Sequence, residues 1–201
     1  MRNLVRIDQY NQDGYSRGRS GLVVLLWWFV QGSLFRYSIH TMDGWRRWLL
    51  LLFGAKVGKG VKIRSTARFT YPWKVAIGDH TWIGDHVEFY SLDMIAVGSH
   101  CVISQQSYLC TGSHQMNDPA FGLLTKPIVI RDGAWVASGA FVYPGVTIHE
   151  MAVAGARSTV IRDIPANEVH VGSPANFLKY RFQQKEESYG YSEKEKEALV
   201  Y

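Results

Sequence analysis

The chain has 201 residues, enough for one domain with appendages, and 47% are hydrophobic, so it can bury a core and is not a disordered polymer. Two cysteines cannot make a disulfide framework, and a reducing compartment is the simpler reading. The net charge of +5 sits at one end: residues 1–56 hold eight Lys/Arg and three Asp, whereas the rest carries fourteen of each sign. The basic residues of 1–56 are interleaved with aliphatics, not polar contacts, which argues against a nucleic-acid binder.

The first 20 residues are polar and lack an apolar run, so no signal peptide is expected. Two apolar blocks follow. One runs from Leu22 to Val30 and resumes at Leu34-Phe35; the other runs from Trp45 to Phe53, with Gly54 as a helix stop. Both are shorter than the ~20 residues a membrane-spanning helix needs. Residues 1–56 therefore read as a basic, Trp-rich helical leader. It either caps the body that follows or lies at a membrane interface, with Trp and Arg at the headgroup level.

From Val57 to Pro165 the apolar residues recur every six positions. Val57, Ile63, Phe69, then Ile77, Ile83, Phe89, then Val97, Ile103, Leu109, and finally Ile130, Val136, Val142, Ile148, Ala154 and Val160 keep this phase. Neither a helix, with its period of 3.6, nor a flat strand, with its period of 2, repeats in sixes. A short strand plus a corner does, three to a turn, so residues 57–165 read as an all-β triangular solenoid of about five coils. The first residue of each six points inward. The next is often small (Gly58, Gly78, Gly84, Gly98, Ala137, Gly155), which would keep the interior uncrowded. The fourth (Gly60, His80, His86, His100, Gly133, Gly139, Gly145) suits a corner at positive φ. The fifth is again small and interior, from Val61 and Ala67 through Cys101 and Ser107 to Ser158.

The repeat breaks once. His114 closes its six at a corner, and residues 115–127, with Asn117-Asp118-Pro119 and Pro127, have no place in the pattern. Such an extruded loop on a rigid scaffold is where function concentrates. Ile128-Val129-Ile130 resumes the strands. Residues 166–201 read as a turn, a short helix and a charged tail.

Several stretches together resemble a known family: Tyr71-Pro-Trp73, Trp82-Ile-Gly-Asp85, Ser107-Tyr-Leu-Cys-Thr-Gly-Ser-His114, Lys126-Pro-Ile-Val-Ile130, Pro144-Gly-Val-Thr-Ile148, Gly155-Ala-Arg-Ser158 and Gly172-Ser-Pro-Ala175. They are similar to the hexapeptide-repeat acetyltransferases of exopolysaccharide biosynthesis, the colanic-acid type. The galactoside, maltose and serine O-acetyltransferases are more distant. The resemblance covers about residues 15–182. It implies a left-handed parallel β-helix, a homotrimer with active sites between subunits, and acetyl-CoA as co-substrate. It further implies a cytoplasmic location and a sugar or lipid-linked sugar as acceptor. His114 would be the general base, moving a proton directly without an acyl-enzyme. An imidazole titrates near neutrality and suits that role. The resemblance places acetyl-CoA near Trp135, Ser138, Gly139, Ala156, Thr159, Arg162, Lys179 and Arg181, with Ser138 or Gly139 as backbone donors to the oxyanion. Many members carry Asp directly after the histidine; this chain has Gln115. The group that orients His114 is therefore open among Asp118, Asp93, Glu88 and a backbone carbonyl.

Two other readings fit the same residues. His80 and His100 should stack one coil apart with His86 at the next corner, as a gamma-class carbonic anhydrase-like zinc site would use them, although no metal is expected. A trimeric scaffold that has lost its chemistry is the other.

Overall fold

The computed structural model describes residues 4–183; most of the charged tail lies outside them. Three parallel sheets form the faces of a triangular solenoid. On the first face Val57, Ile77, Val97, Ile130 and Ile148 stand in register. On the second, Ile63, Ile83, Ile103, Val136 and Ala154 align, and on the third, Phe69, Phe89, Leu109, Val142 and Val160. The six-residue phase is thus a real register. All these residues are buried, as are the fifth-position residues. Buried hydroxyls among them find carbonyls: Thr81 Oγ1 donates to Gly98 O at 2.7 Å and Ser107 Oγ to Ala137 O at 3.0 Å. The second face carries one further parallel strand, Glu168–Gly172, so the solenoid is nearer six coils than the expected five.

Every expected corner residue has positive φ, from 56° at His80 to 85° at Gly145. The small second-position residues have a different cause from the one expected. A Cβ on Gly78 would lie 2.5 Å from the backbone of Gly98 and Ser99 in the next coil. Close approach of stacked backbones sets the size limit there; interior crowding does not.

The leader closes the first coil. Helix α1 (Gly21–Val30) and helix α2 (Asp43–Leu52) are joined by a π-helical turn, Gln31–Phe35. The open edge of the first coil would leave backbone groups bare, and leader side chains take them up. Trp27 Nε1 donates to Phe69 O (2.7 Å), Gln31 Oε1 accepts from Phe69 N (2.6 Å), and Asp43 Oδ1 accepts from Ile63 N (3.0 Å). Arg46 is fully buried; its guanidinium donates to Ile63 O, Ile39 O, His40 O, Ser38 Oγ and Asp43 Oδ1 at 2.5–3.0 Å. Trp27, Phe35, Leu49 and Leu50 extend the solenoid core.

Residues 168–180 hold strands, and the rest of the stretch in which a short helix is expected lies outside the described residues. Glu168–Gly172 pairs with the last full coil and Ala175–Tyr180 folds back antiparallel on it, covering that edge with a hairpin. Cys101 and Cys110 are free thiols. Burial pushes the Cys101 thiol up to about 11, so it stays protonated.

The Arg46 network yields a stability prediction. Arg46→Leu removes one charge from a buried, fully paired set and leaves Asp43 and three carbonyls without their partner. Chemical denaturation should show a loss of about 3–5 kcal/mol; a loss under about 1 kcal/mol would mean that the plug is not held by this residue.

Candidate functional site

The chain leaves the prism earlier than the repeat implies. Gly112–His114 and Leu123–Thr125 pair antiparallel, Gly112 opposite Thr125 and His114 opposite Leu123. His114 therefore stands on an extruded hairpin between the third and first faces, one step beyond the corner. The hairpin tip is closed by main-chain bonds: Gln115 N–H to Gly122 O (2.9 Å), Asp118 N–H to Gln115 O (3.0 Å) and Phe121 N–H to Asp118 O (2.9 Å).

His114 Nδ1 lies 3.1 Å from the carbonyl oxygen of Phe121. A carbonyl can only accept, so Nδ1 carries a proton, and in the neutral imidazole the lone pair then sits on Nε2. The same residue's ring stacks on the imidazole, with centroids 4.3 Å apart and planes 10° apart, and Tyr10 meets it edge-on at 5.7 Å. Phe121 adopts φ +49°, a conformation that costs a non-glycine residue about 1–2 kcal/mol. One strained residue thus supplies both the orienting acceptor and the aromatic plate.

The three carboxylates considered from sequence point elsewhere. Asp118 Oδ1 accepts from Ala120 N–H (2.9 Å) and caps the hairpin turn. Asp93 Oδ1 accepts from Met94 N–H (2.7 Å). Glu88 faces Arg68 at 3.5 Å and lines a cavity of about 730 Å³ between the leader and the third face. Burial raises the Glu88 carboxyl above the usual range, with Arg68 opposing.

A smaller cavity of about 230 Å³ opens at His114, lined by Tyr10, Gln12, Tyr15, Arg17, Tyr71, Tyr90, Leu92 and Leu123. Its leader residues come from an arm tied to the hairpin by Arg6 N–H to Pro119 O at 2.7 Å. Tyr15 Oη is buried beside Tyr71 and meets no hydrogen-bond partner in good geometry among the described residues. Burial, then neighbouring Tyr71, raises its pKa and keeps it a donor. Sequence reasoning missed both this arm and the Phe121 carbonyl; an aromatic residue before Gly122 does not announce a left-handed backbone.

The residues considered for acetyl-CoA fall into separate groups. Ser138, Gly139 and Ala156 stack along the corner between the second and third faces, where Arg157 N–H bonds Ser138 O. Thr159 begins the adjoining strand and accepts from Ser173 Oγ at 2.8 Å. Gly139 N–H is committed to Gln105 O (3.0 Å), which leaves Ser138 as the candidate oxyanion donor. Trp135 stands half-exposed on the second face, its Nε1 donating to Ser104 Oγ. Arg162 is exposed beyond the third-face strand Thr159–Val160, and Lys179 is exposed on the final strand. Arg181 NH1 donates to Gly133 O and Met151 O, so it holds a corner together.

His80 and His100 do stack, 5.3 Å apart, but His86 occupies the next corner. Among the described residues no group of three or more His, Cys, Asp or Glu could hold a metal ion. Nor is any described helix long and apolar enough to cross a membrane.

No family model matches the chain. It is similar to an Escherichia coli K12 protein assigned as a colanic acid biosynthesis acetyltransferase, with 48% identity over 167 residues, 83% of this chain and 92% of that one. Its fold matches a hexapeptide-repeat acetyltransferase of Vibrio cholerae crystallised with acetyl-CoA (TM-score 0.75, 23% identity, 88% of this chain and 96% of that one). A galactoside acetyltransferase in complex with coenzyme A also matches (TM-score 0.73, 23% identity, 83% and 86%).

The tautomer is open to direct test. Nitrogen-detected NMR of the neutral imidazole should show His114 protonated at Nδ1 and bare at Nε2. The opposite tautomer would remove Phe121 as the orienting group.

Proposed function

The chain belongs to the hexapeptide-repeat acetyltransferases of the colanic-acid type, left-handed β-helix proteins, and from that membership we propose that it moves the acetyl group of acetyl-CoA onto a sugar hydroxyl in exopolysaccharide or surface-glycan assembly. The observation that carries the reading is the His114 imidazole, held at Nδ1 by a backbone carbonyl beside a cavity, which leaves Nε2 free to accept a proton in the neutral ring.

In this mechanism Nε2 of His114 takes the proton of the acceptor hydroxyl as its oxygen attacks the thioester carbon. The tetrahedral oxyanion is met by Ser138 N–H, the carbon–sulfur bond then breaks, and the CoA sulfur leaves with the proton returned from His114. No acetyl-enzyme forms. Phe121 fixes the ring, and the Tyr15 hydroxyl donates to the bound sugar. Trp135, Ala156 and Thr159 flank the pantetheine arm, while Arg162 and Lys179 reach the CoA phosphates. Arg181 drops out of that set because its guanidinium is already engaged.

The working unit is a homotrimer with its site between subunits. His114 and the Ser138–Ala156 corner lie at different edges of one solenoid, so a neighbouring copy is needed to bring them together. The supply of acetyl-CoA makes the cytoplasm the place of action.

Purified protein with acetyl-CoA and a panel of sugar acceptors, followed by released thiol, tests the reading. His114→Ala should lower turnover about 10²–10⁴-fold with acetyl-CoA affinity little changed. Near-normal turnover would overturn the assignment, and so would the absence of thiol release with every sugar.

A further inference from the structure

Helix α1 has two apolar faces, and only one is used by the fold. From Leu22 to Val30 it carries no charged residue and, apart from two indoles, no hydrogen-bonding side chain. Val24, Trp27 and Val30 are buried against the first coil. Leu22, Leu25, Leu26 and Phe29, at the i, i+3, i+4, i+7 spacing of a second stripe, are 77%, 61%, 52% and 68% exposed. A helix packed on a globular body ordinarily turns polar residues outward. The apolar surface continues onto Leu34, whose carbonyl accepts from Trp45 Nε1, and onto Trp48, which stacks on Trp45.

The charges around this surface choose its occupant. Between residues 14 and 42 there are three arginines, Arg17, Arg19 and Arg36, all exposed, and no Asp or Glu. A second copy pressing the same patch onto itself would bring arginines against arginines, and Glu88, which shares a cavity with Trp28 and Arg36, already faces Arg68. An anionic lipid surface answers both features: acyl chains take the leucines and phenylalanine, headgroups take the arginines, and indoles sit at the boundary. Ten residues of helix rise about 15 Å, half the hydrocarbon thickness, so the helix would lie in the plane of the surface.

We propose that the outward face of α1 docks this protein on an anionic bilayer surface, with the solenoid held above it. The inference does not depend on acetyl transfer, and its test reads binding alone.

The full-length protein is sedimented with vesicles of phosphatidylglycerol and phosphatidylethanolamine, and with vesicles of phosphatidylcholine alone. Wild type should bind the anionic vesicles at least about tenfold better, and high salt should reduce the difference. Leu25→Glu/Phe29→Glu changes only exposed positions. It should lose at least about tenfold in binding while keeping its melting temperature and its mass by light scattering. Three results would overturn the proposal: no binding by wild type, equal binding by the double variant, or a fall of the variant to a smaller assembly. The last would make the patch a contact between copies.

Discussion

Main-chain hydrogen bonds run along the axis of this solenoid and tie each coil to its neighbours at the spacing of adjacent β-strands, about 4.8 Å. That stacking dictates what each position can hold. Corners must reverse the chain within the height of one strand, so they take a left-handed backbone, and Gly60, His80, His100 and Gly133 all adopt it. Residues after the inward aliphatic face the backbone of the next coil and must be small, as at Gly78. The two ends of the stack would expose unpaired backbone groups. The leader answers one end with Trp27, Gln31, Asp43 and Arg46; the C-terminal hairpin answers the other.

The same rigidity makes the site possible. Thr111 ties the departure point to the preceding coil, with Oγ1 donating to Tyr90 O, and to the returning chain, its carbonyl accepting from Lys126 N–H. The hairpin thus leaves a fixed base and carries His114 to a defined position. Its tip bends back so that Phe121, in a backbone conformation unusual for its type, delivers a carbonyl to Nδ1. A main-chain acceptor holds the imidazole in one tautomer without adding a second titrating group beside the base. In the proposed mechanism Gln115 need not supply an acid, because Nδ1 of His114 is met from across the hairpin by the Phe121 carbonyl.

Much of the scaffold is written in single residues. The inward phase from Val57 to Val160 and the positive-φ corners follow from local chemistry that repeats, so they can be read without knowing any contact. His114 is legible for a related reason: it stands where the repeat stops. What escaped reading depends on contacts between distant segments. Arg46 beside Trp45 and Trp48 looks like an interfacial charge, yet it is fully buried because Ile63, seventeen residues on, offers a carbonyl. Residues 168–172, read only as part of a terminal turn region, form a strand because the open edge at Val153 recruits them into the sheet. Tyr10 and Tyr15 carry no local signal; they join the site because the arm is tied to the hairpin at Pro119.

The central claim is that a backbone carbonyl, and no carboxylate, orients the His114 imidazole proposed as the base. It is tested most directly by comparing the turnover of Asp118→Asn, Asp93→Asn and Glu88→Gln in the thiol-release assay. Each should stay within about tenfold of wild type, since none of the three hydrogen-bonds His114. A loss of about a hundredfold or more in any one of them, the scale of a missing general base, would contradict the account.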